Sequence, residues 1–183
     1  MKNILITGAT SGIGYAIMSL LSHNSDNDIF FTGRRKINRV NYYPCDLVDM
    51  FEIETLYNKA CEYFNSPIDI LINCAGQYMY KPIEKMSFDE TSYFLDVNFK
   101  SAYILSSLVI NGMKKKKWGR IINIGSISGV VGEANASLYS ATKAGLIGAT
   151  KALALELAEY GITINTINPG WVDTDLGNSS CED

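Results

Sequence analysis

Short apolar runs alternate with longer segments of helical spacing along the whole chain. Residues 2–7 (Lys-Asn-Ile-Leu-Ile-Thr) form an apolar run that stops at Gly8, as a strand buried on both faces does. Ile13, Ile17, Leu20 and Leu21 then recur at helical spacing over residues 13–21. Residues 28–32 predict a second strand and residues 40–43 a third, ending before Pro44. A helix follows over 50–64, with Phe51, Leu56, Ala60 and Phe64 apolar, and then a fourth strand over 68–73. A long helix is predicted over 94–116, a fifth strand over 120–124, a helix over 138–160 and a sixth strand over 162–167. Residues 33–39 are too few for a crossover helix, so the second and third strands should be joined by a loop. This rhythm means βαβ units, hence an α/β fold with a mainly parallel sheet and helices on both faces. No internal repeat, low-complexity tract or linker divides the chain, and residues 1–183 are read as a single domain.

Composition narrows the function classes. At 47% hydrophobic and 19% charged, the chain reads as an ordinary soluble globular protein. A net charge of −3 argues against a nucleic-acid surface. The one basic block, residues 114–117, suits a helix C-terminus, where cations complement the dipole. Cys45, Cys61, Cys74 and Cys181 show no C-x-x-C pairing and no leader precedes the first strand, so reduced thiols in the cytoplasm are expected. No apolar run reaches membrane-spanning length, and with a single histidine, His23, placed at a helix end, no metal site is expected.

Candidate chemistry lies in the last third. Tyr139 and Lys143 stand four residues apart, so they share one face of the predicted helix, and Ser126 lies thirteen residues before Tyr139. A cation close to a phenol favours the phenolate and lowers its pKa, typically by about 1–3 units, which makes a general acid–base at neutral pH. The serine hydroxyl could then hold a substrate oxygen. Taken alone, the pair also fits any amphipathic helix with a core aromatic and a solvated lysine.

The first strand runs directly into Thr-Gly-Ala-Thr-Ser-Gly-Ile-Gly and then into a helix. Gly8, Gly12 and Gly14 allow a tight turn and close backbone approach to a pyrophosphate at the helix N-terminus. At the end of the second strand an acidic residue would bind the ribose hydroxyl of NAD, whereas this chain carries Arg34 and Arg35. Two guanidiniums suit the 2′-phosphate of NADP, so NADP(H) is favoured over NAD(H); solvated surface arginines are the plainer alternative.

With these residues in place, the chain resembles the short-chain dehydrogenase/reductases, and within them the 3-oxoacyl-(acyl-carrier-protein) reductase type. The resemblance rests on residues 7–14, Cys-Asp-Leu at 45–47, Asn-Cys-Ala-Gly at 73–76, Asn98, Ser126, the Tyr139–Lys143 pair and Asn-Pro-Gly-Trp-Val-Asp-Thr at 168–174. It implies a Rossmann-type doubly wound sheet of order 3-2-1-4-5-6, without the family's seventh strand. It implies Tyr139 as proton donor and acceptor, Lys143 lowering its pKa and holding the nicotinamide ribose, Ser126 on the substrate oxygen, and Asn98 relaying protons from Lys143 to water. Cofactor contacts would come from Gly8, Thr10, Ser11, Gly12, Ile13 and Gly14, from Arg34 and Arg35, and from Asp46 and Leu47 beside the adenine. Further contacts would come from Asn73, Ala75 and Gly76, with Pro169, Gly170, Val172 and Thr174 around the carboxamide. For Asn73 a bond between neighbouring strands is an equal reading, compatible with the first; for Asn98 taken alone, a helix kink or a structural polar residue is the default reading.

The resemblance further implies a small carbonyl or alcohol substrate, acyl-carrier-protein-linked in the nearest type, and a homo-dimer or higher oligomer through the helices flanking the fifth strand. Ala141, Ala144, Gly145, Gly148 and Ala149 would permit that close approach. Family members usually continue beyond the point where this sequence stops, through a substrate-covering segment. A cofactor-binding module without turnover is therefore a second reading. An epimerase of nucleotide sugars is a third, disfavoured because Ser11 stands where its glycine pattern needs glycine. Substrate choice is expected from residues 77–85 and 129–137.

Overall fold

The computed structural model describes residues 1–178. Its six strands form one all-parallel sheet of order β3-β2-β1-β4-β5-β6. They are β1 (Lys2–Ile6), β2 (Asn27–Gly33), β3 (Tyr42–Pro44), β4 (Ile70–Asn73), β5 (Gly119–Ile124) and β6 (Ile162–Ile167). The helices are α1 (Gly12–Ser22), α2 (Met50–Phe64), α3 (Phe88–Leu95), α4 (Ser101–Lys116), α5 (Ser128–Val131), α6 (Ser137–Leu157) and α7 (Asp175–Asn178). This is the expected α/β architecture, and β2 and β3 are joined by a loop without a helix, as the short connection required.

The two sheet faces are covered unequally. On one, Leu5, Phe30, Leu71, Ile121 and Ile162 pack against Ile53 and Leu56 of α2, Leu105 and Val109 of α4 and Leu157 of α6. Each such side chain contributes about 1.5–3 kcal/mol by leaving water. On the other, Ile4, Ile6, Ile29 and Phe31 meet Ile17, Met18 and Leu21 of α1. There β6 presents Thr163 and Asn165 to solvent, so it alternates where a strand buried on both faces would be apolar throughout.

Several boundaries differ from the periodicity. The third strand includes Pro44, opposite Gly33; β3 pairs only with β2, and an edge strand tolerates a residue lacking an N–H. The helix expected from residue 94 begins at Phe88, where Ser87 and Glu90 form a capping box, and a π-helical stretch over Asp96–Lys100 divides it. The fourth strand starts two residues late, at Ile70, just after Asp69, whose N–H donates to Asn3 O at 2.9 Å and whose carbonyl accepts from the Arg120 N–H at 3.0 Å. The Asp69 carboxylate accepts from the Asn3 N–H at 3.0 Å and from Lys116 at 2.7 Å, which ties the end of α4 to the sheet.

Lys114, Lys115 and Lys116 occupy the last turn of α4, as the basic block predicts. Cys45, Cys61 and Cys74 are free thiols, and Cys181 lies outside the described residues. Among the described residues, no helix is long and apolar enough to cross a membrane.

Candidate active site

All loops at the carboxyl ends of the strands open onto one cleft of about 520 Å³. It sits where the strand order reverses between β1 and β4, the crevice in which open parallel sheets place ligands. The two loops there touch through backbone. Thr7 Oγ1 accepts from the N–H groups of Cys74 at 3.0 Å and Ala75 at 3.1 Å. Gly8 has φ +66°, and a Cβ on it would fall 2.7 Å from Ala75 Cα.

The start of α1 faces this cleft, with Thr10, Ser11, Gly12, Ile13 and Gly14 in its wall. Ser11 occupies the N-cap yet makes no side-chain cap bond, and no acidic residue lies in the first turn. The free N–H groups and positive dipole end are thus left for an anion, which fits a dinucleotide pyrophosphate. Gly14 admits the helix against the loop, since a Cβ there would lie 2.3 Å from Gly8 O.

Ser126, Tyr139 and Lys143 converge on the same cleft. α5 packs so closely on α6 that a Cβ at Gly129 would stand 2.7 Å from the carbonyl carbon of Lys143, which brings the Ser126 loop against the helix bearing Tyr139. Lys143 is buried and donates to Ile124 O at 2.8 Å, with Nζ 5.7 Å from the centre of the Tyr139 ring. Asn98 lies in the π-helical stretch, where a widened turn can re-aim a side chain. Its amide accepts from Gln77 N at 2.7 Å and donates to Gln77 O at 3.0 Å, so it braces the loop after β4, while Lys143 bonds to Ile124 O instead.

Electrostatics depart from the spacing argument. Burial pushes the Tyr139 phenol above its ordinary pKa; the Ser126 hydroxyl lowers it and Glu133 raises it. The depression expected from Lys143 is absent, because that ammonium points to Ile124 O and is itself held down to about 8 by burial. Burial also raises the Cys74 thiol to about 11, against the opposing effect of Lys143, so Cys74 is a protonated wall residue.

At the far end, Arg34, Arg35, Asp46 and Leu47 line the lip. Arg34 donates to Tyr93 Oη at 3.4 Å and, with the Gln77 amide oxygen turned toward it, to Gln77 at 2.9 and 3.2 Å. Ala75, Gly76, Pro169, Gly170, Val172 and Thr174 all reach the cleft. Asn73 does not belong to its wall: it donates to Asn123 Oδ1 at 2.9 Å beneath α4, the strand-bridging alternative. Side-chain alternation along β4 sends Asn73 and Cys74 to opposite sides. Cys74 and Trp171, inside the matched motifs but given no role there, also line the cleft, as do Gln77, Tyr78 and Glu133 from the stretches expected to choose the substrate; Tyr93 was missed altogether. The last four lie on loops or helix faces whose approach only the fold creates.

A family described as short chain dehydrogenase matches residues 2–183. A D-β-hydroxybutyrate dehydrogenase of Cupriavidus necator is 37% identical over 193 residues, covering 99% of this chain and 74% of its own length. A 3-oxoacyl-[acyl-carrier-protein] reductase of Rickettsia conorii is 38% identical over 185 residues, covering 96% of this chain and 74% of its own. Among solved structures, a short-chain dehydrogenase from Streptomyces avermitilis superposes with a TM-score of 0.88 at 27% identity, covering 96% of this chain and 67% of that one.

Lys143 carries its burial as a cost to folding. Its pKa falls from 10.5 to about 8, so between these values the unfolded chain binds the proton that the folded chain releases. Stability must therefore rise with pH through that window, and the full cost is present below it. Lys143→Met is expected to stabilise the ligand-free protein at about pH 7 by roughly 1–3 kcal/mol, net of the lost Ile124 bond. That gain should shrink by more than half by about pH 9.5. Thermal denaturation of both proteins at the two pH values checks this; equal destabilisation at both would refute it.

Proposed function

Because the chain belongs to the short-chain dehydrogenase family, we propose that it is an NADP(H)-dependent oxidoreductase interconverting a carbonyl compound and a secondary alcohol. The observation that carries this reading is the convergence of Ser126, Tyr139 and Lys143 on the cleft that also receives the open N-terminus of α1. When bound, the nicotinamide cofactor supplies the hydride donor or acceptor. The amides of residues 11–14 hold its pyrophosphate, Asp46 and Leu47 border the adenine, and Arg34 and Arg35 take the 2′-phosphate. Ala75 and Gly76 form the floor, and residues 169–174 hold the carboxamide.

Tyr139 gives its phenolic proton to the substrate oxygen during reduction and recovers it from the alcohol during oxidation. Its raised pKa keeps the phenol protonated at neutral pH, the form that reduction needs. Ser126 holds the same oxygen, and Lys143 holds the ribose hydroxyls beside it. Asn98 fixes the Gln77 backbone at the cleft wall and is the proposed entry to a proton relay. The substrate is a small carbonyl compound, with acyl-carrier-protein-linked acyl groups as the model offered by the reductases among the relatives. We place the protein in the cytoplasm.

The helices flanking β5 support a homo-dimer: Tyr103 of α4 and Ala141, Ala144 and Gly148 of α6 are exposed, and nothing lies within 4 Å of a Cβ built on Gly148. Small residues let two such helices approach closely. Sedimentation at micromolar concentration should give a dimer or larger species; monomer alone would count against this surface.

NADPH and NADH oxidation over a ketone panel tests the enzyme reading. Tyr139→Phe should lower kcat by about 10²–10⁴-fold while NADPH still binds. Replacing Arg34 and Arg35 together by Ala should weaken NADPH binding about 10–100-fold and leave NADH binding nearly unchanged. NADPH binding without turnover of any ketone would favour a non-catalytic module instead.

A further inference from the structure

We propose that Glu133 sets the charge of the substrate, so that the cleft takes a neutral, apolar-bodied carbonyl compound such as a 3-oxo ester or thioester and refuses the free 3-oxo acid. This deepens the reading of the same site as a carbonyl reductase and rests on it. Glu133 follows α5 and lines the cleft with the reacting residues. Both of its carboxylate oxygens are held in place. Oε1 accepts from Tyr78 Oη at 2.6 Å and Oε2 from Ser128 Oγ at 2.7 Å. Ser128 Oγ in turn lies 3.2 Å from Ser126 Oγ, the hydroxyl assigned to the substrate oxygen. Tyr78 packs edge-on against the Tyr139 ring, with centroids 5.1 Å apart. The carboxylate is therefore fixed two hydrogen bonds from the reacting centre on one side and one aromatic contact away on the other.

No cation neutralises it. Among the described residues, Glu133 takes part in no ion pair. The cleft's cations are engaged with other groups or placed at its lip: Lys143 turns to Ile124 O, Arg34 to Tyr93 and Gln77, and Arg35 follows β2. The negative field is felt at the chemistry, since Glu133 raises both Tyr139 and Tyr78. In a 3-oxo acid the carboxylate lies two carbons from the ketone, so binding that ketone between Ser126 and Tyr139 would bring two like charges into one partly desolvated cleft. Such a pair loses about ten- to a hundredfold in affinity at an effective dielectric near 20. An ester of the same acid carries no such charge. Ile127, Trp171 and Val172 give the cleft an apolar wall for its body. The hydroxybutyrate in the name of one relative is, by contrast, an anion.

The test compares methyl 3-oxobutanoate with 3-oxobutanoate, which share the reacting ketone, at about pH 7.5 with NADPH. The natural chain should favour the ester in kcat/KM by at least about tenfold. Glu133→Gln keeps an amide of the same shape and should shrink that ratio about tenfold, chiefly through better use of the acid. Glu133→Asp retains the charge and should retain the preference. A ratio that Glu133→Gln leaves within about twofold, or a natural chain that uses both equally, overturns the proposal while leaving the reductase reading intact. If neither compound is turned over, the reductase reading fails for these ketones. Calorimetric titration of both into the protein with oxidised NADP then decides the charge selection by the same comparison of ratios; equal binding or no binding of either overturns it.

Discussion

Everything at the site depends on two backbones meeting at the reversal of strand order. The loops after β1 and β4 lie against each other because Thr7 offers one hydroxyl to two amides and Gly8 carries no side chain. Its φ of +66° is open to glycine at little cost, and a Cβ would drive into Ala75. That contact aims the end of β1 at the start of α1, whose N-terminus carries no side-chain cap and opens onto the cleft. The same contact sets the floor against which residues 74–76 approach Asn98 and Lys143: a Cβ on Gly76 would stand 3.0 Å from Asn98 Oδ1 and 3.4 Å from Lys143 Nζ. Parallel strands with helical crossovers make such a reversal, but only these small and hydroxylated residues close it.

Tyr139 and Lys143 show how burial overrides spacing. Four residues on a helix put Tyr139 and Lys143 on one face, yet the ammonium is aimed at Ile124 O by α6 packing on α5. In a low-dielectric surrounding each group favours its neutral form, so the phenol rises and the ammonium falls toward about 8. The ligand-free site is thus poised with a protonated phenol and an easily deprotonated amine. A negative Glu133 beside it strengthens the phenol's hold on its proton.

Much of this was legible in the chain, for identifiable reasons. All six strands and the principal helices announced themselves through periodicity, and the glycine loop and Ser126, Tyr139 and Lys143 through spacing. The start of α3 was legible too, since Ser87-x-x-Glu90 is a capping signal, but the apolar pattern drew the boundary to Phe94. The π-helical stretch that turns Asn98 inward left no comparable signal, because one extra residue per turn is a response to packing. Asn73 was readable as a strand bridge, a cofactor contact or both, and only the fold shows its bond to Asn123 of the neighbouring strand.

Local order is written in neighbouring residues, so the sequence by itself determined the alternation of elements, the glycine turn before α1, the family and the candidate set of Ser126, Tyr139 and Lys143. Charge environments arise from groups far apart in the chain. Tyr78, Ser126, Ser128 and Glu133 come from the segments after β4 and after β5, which meet only once those strands pair, and no spacing rule links residue 78 to residue 133. The tertiary structure alone decided that Lys143 would be buried and bonded to Ile124 O, and that a carboxylate would stand beside the phenol. Burial and Coulombic energy depend on distance in space, which the order of residues encodes only through the fold.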